Sequence, residues 1–229
     1  MRNLGYDLTG DGMDIIAYVV DKIYKAKQGA PLIVAFDGVD TSGKTFLADR
    51  VAEKFDKLGD YQAIRVSIDK FHNPKEIRLQ RGDLSPEGFF LDSFNYGVII
   101  ENVIMPAKNG KDYIIPGVYD YKIESDINIK PVSIASDTVI LFDGIFMNRD
   151  ELFQYWDMSI FLDVSFDTVR KRALERDLEY FGSVENVLKR YNNRYIPGQR
   201  LYLDRCNPKE RADIVFDNND FNNPVLIRG

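Results

Sequence analysis

Apolar positions along this chain follow two rhythms that alternate from one end to the other. Ile15, Ile16, Val19, Val20, Ile23 and Tyr24 recur at helical spacing, and Gly29-Ala30-Pro31 closes that run. An unbroken apolar stretch over 32–36 follows and predicts a buried strand. The pattern then predicts a helix over 44–58, a strand over 63–68 and a helix over 94–107 that stops near Asn109-Gly110. Residues 74–86 are polar and turn-rich without a period, and read as a long loop. Two short strands broken at Pro116-Gly117 are expected in 113–121, and buried strands over 138–142 and 158–162. Helices over 167–179 and 184–195, parted by Gly182-Ser183, precede a last short strand over 214–216.

Strands that alternate with helices predict an α/β fold on a doubly wound, mostly parallel sheet. The chain reads as one domain over 1–229, with 1–30 as an N-terminal helical extension. Its 45% hydrophobic and 29% charged residues are those of a globular protein, not of a disordered chain. A net charge of −6 argues against a general nucleic-acid or anionic-membrane partner, so any basic site must be local. No apolar run approaches 18 residues, so no membrane span is expected. Residues 1–14 carry one arginine and three aspartates, unlike a signal or transit peptide. With a single cysteine, Cys206, there is no internal disulfide, and a cytoplasmic protein is the expectation.

Candidate chemistry begins where the first buried strand ends. Residues 38–45 read Gly-Val-Asp-Thr-Ser-Gly-Lys-Thr, which fits G-x-x-x-x-G-K-[ST] in the order strand, glycine turn, helix. Such a loop, here Gly38, Asp40, Thr41, Ser42, Gly43, Lys44 and Thr45, turns backbone N–H groups toward anionic oxygens. Lys44 is expected at the β- and γ-phosphates of ATP, and Thr45 at Mg²⁺.

Five predicted strands end in aspartate: Asp37, Asp69, Asp143, Asp163 and Asp217. In an open parallel sheet, ligands sit beyond these strand ends, although aspartate is also a common capping residue. Asp143, after Val139-Ile140-Leu141-Phe142, is the candidate metal-side acid. Asp69 opens Asp69-Lys70-Phe71-His72 and is the candidate base for an attacking hydroxyl. In the simplest winding its strand lies beside the loop-bearing strand. Asp37, Asp163 and Asp217 read as structural, with Asp37 placed to support the loop from behind. His72 is a candidate substrate contact.

Arg170, Lys171, Arg172 and Arg176 form a local basic segment, and Arg172 and Arg176 share a helix face. Positioned guanidiniums stabilise a transferring phosphoryl group, and a lid bearing them over about 165–200 would keep water out. The alternative is a solvated face paired with Glu175, Asp177 and Glu179. Arg190, Arg194 and Arg200 are weaker candidates. Phe94, Asn95, Tyr119 and Tyr121 are candidate acceptor contacts, although most aromatics in such segments are core.

Together these segments resemble the uridine kinase and phosphoribulokinase group of P-loop kinases, in order over about 32–217. The resembling segments are 38–45, Ser67-Ile68-Asp69-Lys70-Phe71-His72, Asp92-Ser93-Phe94-Asn95, Pro116-Gly117-Val118-Tyr119-Asp120-Tyr121, Leu141-Phe142-Asp143-Gly144-Ile145-Phe146 and Lys171-Arg172-Ala173-Leu174-Glu175-Arg176-Asp177. The resemblance implies Asp69, Lys44, Arg172 and Arg176 as catalytic groups, and Thr45 and Asp143 at Mg²⁺. It places His72, Phe94, Asn95, Tyr119 and Tyr121 around the acceptor, and it implies self-association. Asn95 stands where uridine kinases carry a ribose-binding acid, and Glu124 where they carry a base-contacting histidine. Asp40-Thr41-Ser42 replaces small neutral residues, and the lid holds one extra residue before Arg176. The reading is thus transfer from ATP to a hydroxyl of a small molecule, with the 5′-hydroxyl of uridine or cytidine first. Pantothenate, a sugar phosphate or glycerate are alternative acceptors, and a non-kinase NTP-binding switch or a nucleic-acid-stimulated ATPase are alternative classes.

Overall fold

The strand Leu32–Gly38 (β1) is buried along its whole length, and the other elements are arranged around it. The computed structural model describes residues 13–229; the start of the predicted extension, 1–12, lies outside the described residues. The other strands are Gln62–Ser67 (β2), Tyr113–Ile114 (β3), Tyr119–Asp120 (β4), Ser125–Asp126 (β5), Val132–Ser133 (β6), Thr138–Asp143 (β7), Met158–Asp163 (β8), Ile214–Asp217 (β9) and Val225–Arg228 (β10). The main sheet has the order β10-β9-β8-β1-β7-β2. Its pairs are parallel except for β10, which runs antiparallel to β9. The fold is therefore α/β with a mostly parallel sheet, as the alternating pattern predicts.

Side chains alternate across β1, so each face of the sheet has its own core. Leu32, Val34 and Phe36 pack with Val19, Val20 and Ile23 of the helix Ile15–Ala26 and with Leu47, Val51 and Phe55 of the helix Lys44–Leu58. Ile33 and Ala35 face Phe90, Phe94, Phe146 and Tyr202 on the other side. Asp14 caps the first helix by accepting from the Ile16 and Ala17 amides at 3.1 and 3.0 Å.

Several expectations need correction. β2 does not lie beside β1, because β7 is inserted between them. The reason is readable in the residues: every position of β7 is buried, whereas β2 alternates and carries Gln62 and Arg65. The apolar strand takes the inner place and the amphipathic one takes the edge. The expected loop over 74–86 contains one helical turn, Lys75–Arg78, and ends at a helix, Pro86–Asp92, capped by Ser85. The two short strands expected in 113–121 are present as β3 and β4, and they pair with β6 and β5 in two small ribbons. The helix expected over 184–195 does not end before Pro197. It passes from Val184–Arg190 through a wider turn, Tyr191–Tyr195, into Ile196–Cys206. Pro197 falls in the first turn of that last segment, where its missing N–H costs little. A like widening at Ile100–Ile104 precedes Pro106, and the Asn102 carbonyl accepts from the Ile115 amide at 2.9 Å instead.

The helix Ile196–Cys206 packs tightly on Pro86–Asp92. A Cβ on Gly198 would lie 2.8 Å from both Phe89 Cδ1 and the Pro86 carbonyl oxygen. Gly198→Ala should therefore cost about 1–3 kcal/mol through forced separation of the helices. Gly97→Ala, whose new Cβ would meet nothing nearer than 3.6 Å, should be neutral or stabilising. Urea unfolding of the two variants checks both signs.

Candidate active site

The turn after β1 requires glycine at two positions. A Cβ on Gly38 would sit 2.6 Å from Ser42 Oγ and 2.7 Å from the Leu162 carbonyl. Gly43 has φ of +96°, and a Cβ there would lie 2.8 Å from Asn218 Nδ2. Gly43 starts the helix Lys44–Leu58, and no side chain caps its first turn. The N–H groups of that turn thus face the loop without a side-chain partner, as an anion site requires. Ser42 Oγ is buried with no hydrogen-bond partner among the described residues. The Lys44 side chain folds back over the loop and donates to the Val39 carbonyl at 3.2 Å. This cradle fits the phosphates of a nucleotide.

Asp143 ends β7 and pairs in register with Phe36 of β1 and Ser67 of β2. Its Oδ2 accepts from Thr45 Oγ1 at 2.6 Å. Its Oδ1 accepts from Arg65 Nη2 at 2.7 Å, while Arg65 also donates to the Leu141 carbonyl and to Asp49. Among the described residues no group of three or more His, Cys, Asp or Glu could hold a metal. A hydroxyl and one acid beside a phosphate cradle instead suit Mg²⁺, which keeps water and takes phosphate oxygens.

Beyond β2, Ser67 opens the turn Ile68–Phe71, and its Oγ accepts from the Asp69 amide at 3.4 Å. Asp69 thus lies past the end of the strand, in a turn. Its carboxylate is accessible, yet enough protein surrounds it that desolvation raises its pKa. The charges of His72 and Lys44 oppose that rise, and those of Asp143 and Asp40 add to it. All four charges therefore act on Asp69. The His72 ring lies 4.4 Å from that of Phe94 and 4.5 Å from that of Tyr121, with Nδ1 3.0 Å from the Asp69 carbonyl. Desolvation lowers the His72 pKa against the pull of Asp69. Burial and Asp69 push Tyr121 up to about 12.

The other expected acceptor contacts are more occupied. Phe94 is a core residue packed on Tyr96 and Phe146, and it reaches the site through His72. Asn95 Oδ1 caps the helix Tyr96–Ile99 by accepting from the Val98 amide at 3.1 Å. Tyr119 is buried and donates to Glu124 Oε2 at 3.0 Å, and Glu124 also pairs with Arg78.

The helix Phe166–Phe181 brings both expected lid arginines onto the loop. Arg172 donates to the Thr41 carbonyl at 3.2 Å and to the Asn218 carbonyl at 2.8 Å. Arg176 pairs with Asp40 at 3.1 Å and with Asp177 at 2.7 Å. Arg170 pairs instead with Asp167, and Arg190 with Asp83. Arg194 is buried against the carbonyls of Arg78, Gly82, Asp83 and Ser85. Arg200 lies over the Phe166 ring. Sequence reading missed Arg65, Tyr191, Gln199 and Asn218. Of these only Arg65 carried a signal, as a charge inside a strand pattern.

The phosphoribulokinase / uridine kinase family profile matches residues 33–223. The chain belongs to this family. It is an ATP-dependent phosphotransferase of the uridine kinase-like P-loop kinases. It is 29% identical over 188 residues to uridine-cytidine kinase B of Dictyostelium discoideum, covering 81% of this chain and 74% of the relative. It is 26% identical over 208 residues to a uridine kinase of Brevibacillus brevis, covering 86% and 90%. Its fold matches a structure described as a possible uridine kinase from Bacillus stearothermophilus, with TM-score 0.71, 20% identity and coverage of 89% and 98%. It also matches D-glycerate 3-kinase from Cryptococcus neoformans, with TM-score 0.57, 16% identity and coverage of 84% and 90%. Among the described residues no helix is long and apolar enough to cross a membrane.

Asp143 is buried and depends on Arg65 for its counter-charge. Arg65→Ala should lower stability by about 2–4 kcal/mol, because it strands a buried carboxylate. Denaturant unfolding without nucleotide is the measurement, with Arg50→Ala, from an exposed pair with Glu53, as the control expected to lose less than about 0.5 kcal/mol.

Proposed function

We propose that this chain transfers the γ-phosphoryl group of ATP to the 5′-hydroxyl of uridine or cytidine. The observation that carries the reading is the accessible Asp69 carboxylate, past the end of β2, which feels the charges of Lys44 and Asp143. An ATPase switch needs only to orient a water, whereas an acceptor hydroxyl needs a base. The relatives named above as uridine and uridine-cytidine kinases support the nucleoside.

In this reading the backbone of Gly38, Asp40, Thr41, Ser42 and Gly43 holds the phosphates, and Lys44 reaches the β/γ oxygens. Thr45 and Asp143 would hold Mg²⁺, whose charge offsets that of the β- and γ-phosphates. Asp69 accepts the proton of the attacking hydroxyl, and His72 and Tyr121 orient the acceptor. Phe94 backs His72, and Tyr119 and Asn95 would complete the acceptor contacts. Arg172 and Arg176 stabilise the charge spread over the transferring group. A cytoplasmic setting and self-association complete the reading.

A second acceptor class has a specific observation behind it. Asn95 Oδ1 is engaged in capping, and Glu124 is held by Arg78 and Tyr119. Two of the positions where this chain departs from uridine kinases are therefore tied into the protein itself, which favours a different small hydroxylated acceptor such as glycerate, pantothenate or a sugar phosphate.

ADP release should require an acceptor when a panel of nucleosides and these metabolites is tested with ATP and Mg²⁺. Asp69→Asn should lower kcat by about 10²–10⁴-fold. Equal turnover with no acceptor, untouched by Asp69→Asn, would sink the kinase reading. Since the Asp69 pKa is raised, the catalytic carboxylate is lost as pH falls through a value above the ordinary aspartate range. The acid limb of kcat/KM should lie there and be absent from Asp69→Asn.

A further inference from the structure

The phosphate loop of this chain carries a carboxylate, and that carboxylate is turned toward the lid. Asp40 Oδ1 accepts from the Thr41 amide at 3.0 Å and lies 3.1 Å from Arg176 Nη1. Asp40 Oδ2 lies 2.8 Å from the Tyr191 hydroxyl. The same hydroxyl lies 2.6 Å from Asp177 Oδ2 and accepts from Arg176 Nη2 at 3.0 Å. Arg176 closes the circuit by donating from Nε and Nη2 to the two Asp177 oxygens at 2.7 and 2.9 Å. The Tyr191 ring is fully buried with Val169, Ala173, Val187 and Ile196, so the cluster stands on a fixed base. The Asp40 amide is itself held by the Gln199 side chain.

Two consequences follow from this geometry. One guanidinium faces two carboxylates, so the cluster carries net negative charge next to a site for phosphates. Of the five guanidinium N–H groups, four are directed at Asp177, Tyr191 and Asp40, which leaves one Nη1–H for a further oxygen. Desolvation works to raise the Asp40 pKa, but Arg176, Lys44 and the Tyr191 hydroxyl together outweigh it, and Asp40 stays ionised.

We propose that Asp40 is a positioning residue: it anchors Arg176 to the phosphate loop, so that the guanidinium is set over the site of transfer before the acceptor arrives. Asp177 alone cannot do this, since it lies on the same helix as Arg176 and moves with it. The catalytic consequence rests on the kinase reading above; the anchoring itself does not.

The test uses the full chain. In Asp40→Ala, hydrogen exchange without nucleotide should quicken over 166–190 and stay unchanged in β1 and β7. In turnover, Asp40→Ala should lower kcat about 10–100-fold, with KM for ATP changed less than about threefold. Methylguanidinium should partly restore turnover to Arg176→Ala, but not to the double variant Asp40→Ala/Arg176→Ala, which lacks the anchor. Asp40→Asn keeps the shape and the Tyr191 contact but not the charge. It should fall between wild type and Asp40→Ala, and it serves in both measurements should Asp40→Ala fail to fold. Lid exchange identical to wild type, equal rescue of the single and double variants, or a rise of more than about tenfold in KM for ATP at unchanged kcat would each overturn the anchor. If no acceptor supports turnover in wild type, the kinase reading fails, and lid exchange alone still decides whether Asp40 anchors the lid.

Discussion

The site rests on one carboxylate that never meets solvent. Asp37 lies at the end of β1, beneath the phosphate loop, and is wholly buried. Its Oδ1 accepts from the Gly38 amide at 2.8 Å, and its Oδ2 accepts from Asn148 Nδ2 at 2.9 Å and from the Tyr202 hydroxyl. Burying an ionised carboxylate without partners costs several kcal/mol or more, so these donors are a condition of the fold. Desolvation still raises its pKa, although Tyr202 and the amides pull the other way. Through Asp37 the first residue of the loop is tied to the segment after β7 and to the helix Ile196–Cys206. The cradle is stiff because its floor is a shared hydrogen-bond network.

Three carboxylates near the loop then take different parts through their surroundings alone. Asp37 is enclosed by donors and has no route to a ligand. Asp143 is buried but bonded to Thr45 on one side and Arg65 on the other, at the position proposed for Mg²⁺. Asp69 is the accessible one, and its turn presses on the β4 ribbon, where a Cβ on Gly117 would lie 2.6 Å from Lys70 Cβ. The proposed base must have access and gains from a raised pKa, and of the three Asp69 combines the two.

Buried runs were the legible part of the fold. β1, β7 and β8 each carry a buried, mostly apolar run followed by an aspartate and could be read as strands almost to the residue, as could the helix that starts at Lys44. Short pairings were less so: β5, β6 and β10 are mostly exposed and have too few residues to show a period. The place of β2 was written in its alternation, but it becomes visible only when β2 is set against β7. In the site, the loop, Asp69, Asp143 and the lid arginines follow from spacing and strand order. Asn218 and Gln199 do not, because periodicity says nothing of which distant loop folds back. Asn218 Nδ2 reaches the Ser42 carbonyl at 2.6 Å across nearly the whole sequence.

The two lid arginines show why a charge count could not separate working residues from a solvated face. Arg172 is bound to carbonyl oxygens of Thr41, Asn218 and Asn219, which are neutral and fixed in the backbone. Arg176 is bound to carboxylates of Asp40 and Asp177. An incoming anion competes with carbonyls for Arg172 on favourable terms, since charge-assisted hydrogen bonds are the stronger. At Arg176 it meets two carboxylates already in place, so only a Nη1–H that they leave open is offered at little cost. In the proposed kinase reading Arg172 would turn to the nucleotide when it binds, and Arg176 would keep its place. A chain of net charge −6 can offer positive groups to phosphates on these terms because Lys44, Arg172 and Arg176 are each held locally against a partner in or beside the loop.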